Sequence, residues 1–131
     1  MKLSLRSGMA LLALAIGLGV VATVVRAQDP LKVAPDNHKL LFENDQVRVY
    51  EFTAKPGEKI AMHSHPNHFA YMLAPGKMKF TTADGKAVEK EYGAGDIRWS
   101  DAVTHTVENI GDTDVKALVV ELKTPAKKQK K

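Results

Sequence analysis

The sequence predicts an all-β domain, a barrel or sandwich of about eight short strands, behind an apolar N-terminal segment. Three observations carry this prediction. From Val47 onward, short runs rich in Val, Thr and aromatic residues alternate with Gly, Pro, Asp and Asn turn signals. No stretch beyond residue 27 has convincing helical periodicity. Asp84-Gly85, set between two alternating runs, is a strong hairpin signal and fits a tight two-residue turn.

Residues 1–27 read as an export signal. Lys2 and Arg6 give the positive start, Met9 to Val25 is an uncharged and mostly apolar run, and Val25-Arg26-Ala27 offers a cleavage site before Gln28. The alternative is an uncleaved anchor, since the 17-residue run is at the lower limit for spanning a bilayer. Both readings put the domain outside the cytoplasm, periplasmic or secreted, with membrane contact only if the segment is retained. Residues 28–46 read as an N-terminal arm that packs Leu40, Leu41 and Phe42 on the body, with His38 exposed or capping.

The expected strands are Val47–Ala54, Glu58–His65, Phe69–Ala74, Lys77–Thr82, Ala87–Tyr92, Ile97–Ser100, His105–Ile110 and Val115–Leu122. Pro56-Gly57, Pro66-Asn67, Pro75-Gly76, Gly93-Ala94-Gly95-Asp96 and Gly111–Asp114 separate them. Lys77-Met78-Lys79-Phe80 alternates, giving one buried face and one wet face. The aromatics Tyr50, Phe52, Phe69, Tyr71, Phe80 and Trp99 are expected in the core.

The 131 residues suffice for one domain, and no repeat or linker divides them. The absence of cysteine excludes disulfides and thiolate sites. The net charge of +4 does not indicate nucleic-acid binding. Lys2, Arg6, Arg26 and the four lysines of the tail, residues 124–131, are seven of the 19 basic residues, leaving 12 against 15 acidic ones in the body. A basic binding face would need cations clustered in that body, and none is visible.

Three of the five histidines, His63, His65 and His68, fall within six residues. A His-x-His pair by itself is common on surfaces. In a strand, however, His63 and His65 point to one face. A turn at Pro66-Asn67 would bring His68 to the same side, although its odd spacing from His65 puts it opposite in an unbroken strand. His105 is the distant partner, sharing parity with Val107 and Asn109. Neutral imidazoles in such a group suit Zn, Fe, Ni or Cu better than Mg or Mn. Ala61, Ala70, Met72, Val107 and Asn109 share parity with the histidines and are expected to line the cavity. No carboxylate is evident on these faces, and Asp101, in the loop before His105, is an exposed acid by default.

With both histidine stretches in hand, the chain from Val47 to Lys123 resembles a small single-domain cupin of the RmlC-like jelly-roll superfamily. Gly57, five residues and His63-Ser64-His65 follow the opening of the family's first motif. Gly95 opens the second, and His105-Thr106-Val107-Glu108-Asn109 closes it. Two departures stand out. His68 occupies the place of the family's glutamate, and Asp101 and Val103 stand for its Pro and Gly. The resemblance implies a jelly-roll barrel over residues 47–123, one divalent transition metal held by His63, His65, His68 and His105, and a possible homodimer. Four neutral ligands would leave the ion's charge uncompensated and favour a small anionic molecule as ligand or substrate. Two functions follow: a metalloenzyme, oxygenase or isomerase-like, or a non-catalytic metal- or small-ligand-binding protein. No residue is assigned a catalytic role.

The exported form is expected to begin at Gln28. Intact mass of the protein recovered from the periplasm or medium checks this; a mass retaining residues 1–27 in a membrane fraction would instead identify an anchor.

Overall fold

Alternating apolar and polar residues set nine strands into two antiparallel sheets that close into a jelly-roll barrel. The computed structural model describes residues 28–123, so the export segment 1–27 and the tail 124–131 lie outside the described residues. The strands are β1 (His38–Glu43), β2 (Val47–Ala54), β3 (Lys59–His65), β4 (His68–Met72), β5 (Gly76–Thr82), β6 (Ala87–Tyr92), β7 (Ile97–Ser100), β8 (Val103–Asn109) and β9 (Val115–Leu122). One sheet has the order β1-β2-β9-β4-β7 and the other β3-β8-β5-β6. Among the described residues no helix is long and apolar enough to cross a membrane.

The core lies between the two inner faces. β9 shows the pattern most clearly, with Val115, Ala117 and Val119 buried and the intervening residues less so. Tyr50, Ile60, Met72 and Val115 are almost fully enclosed. The chain passes from one sheet to the other at Pro66-Asn67, between β3 and β4. That corner is fixed from both sides: Leu122 N–H donates to Asn67 O and Ala102 N–H to Asn67 Oδ1.

Turn residues act as their chemistry requires. Gly57 has φ +77° and follows Pro56, and Glu58 N–H closes the turn onto Lys55 O. At the hairpin between β5 and β6, Gly85 has φ +84° and donates to Thr82 O, while Thr82 N–H donates to Lys86 O. The loop is therefore Ala83-Asp84-Gly85, three residues closed by a left-handed glycine rather than the expected two-residue turn.

The segment 28–46 departs from the expected arm. It holds a short helix, α1 (Pro30–Val33), capped by Asp29. It then supplies β1, a ninth strand paired with β2 at the edge of the larger sheet. Leu40, Leu41 and Phe42 do not pack inward and are 45–54% exposed, because β1 is an outermost strand with a register shift between Leu40 and Phe42. Trp99 is likewise 57% exposed on the edge strand β7, and Tyr71, paired beside Ile97, also faces outward, so neither is a core aromatic.

Gly76 meets the fully buried Val115 so closely that an added Cβ would lie 2.7 Å from Val115 Cγ2. Gly76→Ala is expected to destabilise the fold by about 1–3 kcal/mol, the usual cost of overpacking. Urea unfolding checks this, and an unchanged midpoint would show that β9 yields at this point.

Candidate metal centre

The centre begins with a defect in a strand. β3 and β8 pair antiparallel, with Ile60 opposite Val107 and His63 opposite His105. Two residues of β3, Ala61 and Met62, thus stand against one of β8, and this bulge reverses the parity of β3. Ala61 consequently faces out, contrary to its expected place on the cavity wall, while His63 and His65 turn inward. The bulge also supplies a carbonyl: Ala61 O accepts from His63 Nδ1 at 2.7 Å.

His63, His65 and His105 are all buried, and one ring nitrogen from each lies within 4.8 Å of the others. Their ring centroids are 4.8–5.2 Å apart. Bonds of about 2.0–2.1 Å to an ion such as zinc would draw these atoms somewhat closer. The backside contacts fix which nitrogen is free. A carbonyl can only accept, so His63 Nδ1 carries the proton toward Ala61 O, and Nε2 keeps its lone pair. His65 Nδ1 donates to Glu121 Oε1 at 2.7 Å, with the same result. His105 Nε2 is buried with no hydrogen-bond partner. A buried orphan of this kind is costly unless something binds it. The donor set and its orientation fit a divalent transition metal.

His68 opens β4 on the far side of the Pro66-Asn67 corner and is 8% exposed. Its Nδ1 donates to Pro66 O at 2.8 Å, and its ring lies 4.6 Å from that of His65. It stands outside the group whose nitrogens fall within 4.8 Å. Its parity with Ala70 and Met72 is observed, and all three border the cavity. His38 is 6% exposed rather than on the surface. Its Nδ1 donates to Ala34 O at the end of α1, and its ring sits 5.9 Å from His63 at the cavity wall.

Sequence reasoning missed the group behind His65. Glu121 is 2% exposed on the inner face of β9. Its Oε1 accepts from His65 and from the Tyr50 hydroxyl, and its Oε2 from Arg48 Nε and Nη2 at 2.8 and 2.6 Å. Arg48 Nη1 reaches Asp29 at 2.7 Å, tying in the residue that caps α1. The signal was present: after Val115, Ala117 and Val119, the next inward position is a glutamate. Asn109, expected on the cavity wall, instead donates to Ala54 O and Thr113 O and accepts from Gly111 N–H, locking a turn. Asp101 is exposed and accepts from the Trp99 indole.

Burial pushes the imidazoles down. His105 falls to about 3, through desolvation and the neighbouring His65. Burial takes His65 to about 4 against the opposing effect of the hydrogen bond it donates to Glu121. His63 is also lowered by burial. Burial alone would raise Glu121, but hydrogen bonds from His65, Tyr50 and Arg48 hold it at about 2. At neutral pH the His65–Glu121 contact therefore joins a neutral imidazole to a carboxylate, and is not an ion pair despite its length.

The cavity over these histidines has a volume of about 270 Å³ and is walled chiefly by Met72, Met78, Phe52, Phe80, Val107 and Val119. No Asp or Glu lines it among the described residues.

Comparison with known proteins agrees with this architecture. Residues 50–121 match the family model described as a cupin domain. Among solved structures, a cupin domain from Bordetella pertussis Tohama I is 24% identical with a TM-score of 0.61, over 66% of this chain and 92% of that one. A conserved double-stranded β-helix protein from Klebsiella pneumoniae is 23% identical with a TM-score of 0.55, over 68% and 77%. An RmlC-like cupin family protein from Methanocaldococcus jannaschii is 18% identical with a TM-score of 0.53, over 65% and 77%. At these identities the likeness is one of fold. No curated protein matches the chain.

The lowered imidazoles set a pH dependence for the metal-free protein. The unfolded chain takes up protons near 6.5, whereas folded His65 and His105 resist until about 4 and 3. The unfolded state thus binds more protons in that window, so stability falls as pH drops from about 6.5 toward 3. Glu121, lowered from 4.5 to about 2, acts in the same direction below pH 4.5. Urea midpoints measured with chelator present should fall steadily from pH 7.5 to pH 5. A flat profile across that range would contradict the buried, neutral state assigned to these histidines.

Proposed function

The chain belongs to the cupin domain family, and on that premise we propose that it is an exported protein binding one divalent transition metal and, beside it, a small anionic molecule. The observation that carries the reading is the unpartnered, buried Nε2 of His105 within a group of three histidines. His63, His65 and His105 would hold the ion, and His68 would complete the set from across the corner. Support for His68 is its burial, its free Nε2 and its ring contact with His65. All four donors are nitrogens, which favours Zn, Fe, Ni or Cu. A bound ion would supply Lewis-acid polarisation of an anionic ligand and, with iron or copper, electron-transfer chemistry.

The protein's own residues then define what is feasible. Ala61 O, Glu121 and Pro66 O orient three imidazoles from behind. The cavity wall between the sheets is largely apolar. Isomerase-like chemistry needs a general base near the substrate. Glu121 does not meet that need, because it is held ionised by four hydrogen bonds and does not border the cavity. An oxygenase-type reaction, which places fewer demands on a protein base, is the enzymatic reading we favour. The same lack of a carboxylate on the wall supports the second reading, a non-catalytic metal- or ligand-binding protein.

Metal analysis of the protein as purified, followed by titration of the variants, tests the centre. His63→Ala and His105→Ala should each weaken metal affinity by more than the roughly tenfold expected for a residue behind a ligand. His68→Ala should do the same if the fourth nitrogen binds; parent-like affinity would reduce the set to three histidines. His38→Ala should leave metal affinity unchanged. Oxygen uptake by the metal-loaded protein over a panel of small organic acids separates the two functions, and no uptake with any acid would favour the binding protein.

A further inference from the structure

We infer that Lys90 and Arg98 form an anion-binding entrance to the cavity, taking the carboxylate of an organic acid whose apolar body lies between the sheets. The inference deepens the small-anion reading and rests on it for the deep end of the site alone. Lys90 lies on β6, opposite Met78 and between Val88 and Tyr92 on the inward face. Arg98 lies on β7, opposite Ala70, again on the inward face. β6 and β7 are each an edge strand of its sheet, and both cations line the same cavity from opposite walls.

Aromatic rings hold both side chains. Lys90 Nζ lies 6.0 Å from the Phe80 ring centroid, and the Arg98 guanidinium lies 5.2 Å from that of Tyr92. Phe80 and Tyr92 meet edge to face at 6.5 Å, and Phe80 lies 5.5 Å from His105. An aromatic wall therefore runs from the histidine group to the two cations. Among the described residues the ion pairs use Arg48, Lys77, Lys86, Lys116 and Lys123, and neither Lys90 nor Arg98 has a carboxylate partner. Two cations on inward positions, above apolar walls with no acid, select a ligand with a charged end and an apolar body. A guanidinium and an ammonium suit a carboxylate. Inward charges on edge strands also serve to prevent sheet-to-sheet association, and the test must separate the two roles.

The probes are 3-phenylpropionate and octanoate with their primary amides, titrated into chelator-treated protein by calorimetry at neutral pH. Working without metal makes the result independent of the histidine centre. Each acid should bind at least about tenfold more tightly than its amide, with affinity falling as salt rises. Lys90→Met and Arg98→Gln should each lower acid affinity roughly three- to tenfold and leave the amide unchanged. The double variant should bind acid and amide alike, and Arg98→Lys should retain most of the preference. Metal affinity of these variants should equal that of the parent, and failure of the parent itself to bind metal would count against the histidine centre and not against the entrance. Equal binding of acid and amide by the parent, or no binding of either, would overturn the inference. So would variants that self-associate while keeping the acid preference, which would assign the two cations to edge protection.

Discussion

A buried carboxylate holds the centre of this barrel together. Glu121 comes from β9, in the middle of the larger sheet, yet one of its oxygens accepts from His65 on β3 of the other sheet. Its other oxygen binds Arg48, which reaches Asp29 at the start of the N-terminal segment. A lone buried carboxylate would be strongly unfavourable, and this one is tolerable only because four donors surround it. The arrangement couples three things that are distant in sequence: the closure of the two sheets, the seating of α1, and the tautomer of an imidazole in the candidate metal centre. The Gln28 carbonyl accepts from Ser64 N–H, between His63 and His65, so the N-terminal segment also steadies the strand that carries these two histidines.

The electrostatics of the site follow from the same network. Neutral imidazoles such as those of His65 and His105 would offer no charge to a divalent ion. The nearest compensation is the set of Asp29, Arg48 and Glu121, two anions and one cation in contact, which carries a net −1 behind His65. Most of a bound ion's charge would then have to be met from the open side of the cavity, where Lys90 and Arg98 are two further cations and no acid lines the wall among the described residues. The interior would thus select anions twice, at the ion and at the mouth. Between the two lies an apolar wall that a hydrocarbon or aromatic ring would fill.

Local chemistry made much of the fold legible. The bounds of Val47–Ala54, Ala87–Tyr92, Ile97–Ser100 and Val115–Leu122 agree with the turn residues around them. Turn residues act within a few bonds, so their meaning survives in any context. The strand His38–Glu43 is not legible locally, because Leu40, Leu41 and Phe42 resemble packing residues although an edge strand leaves them in water. Trp99 and Tyr71 lie outside the core for a related reason: hydrophobicity gives a tendency to bury, whereas the packing around each strand decides whether anything is available to bury against.

The sequence by itself determined the β architecture and the placing of His63 and His65 on one face, and the resemblance to the second cupin motif singled out His105. Strand parity is a property of adjacent residues and motif spacing of a short stretch, so these features are legible before the strands meet. Only the tertiary structure decided which residues stand behind and around the histidines. The bulge at Ala61-Met62 depends on how β8 lies against β3, and it sends Ala61 outward. Glu121 lies 56 residues from His65 and meets it only because β9 and β3 face each other across the barrel. His38 was brought to the cavity wall by the pairing of β1 with β2. Each of these placements comes from contacts between strands far apart in the chain, and no local pattern encodes which two strands will meet.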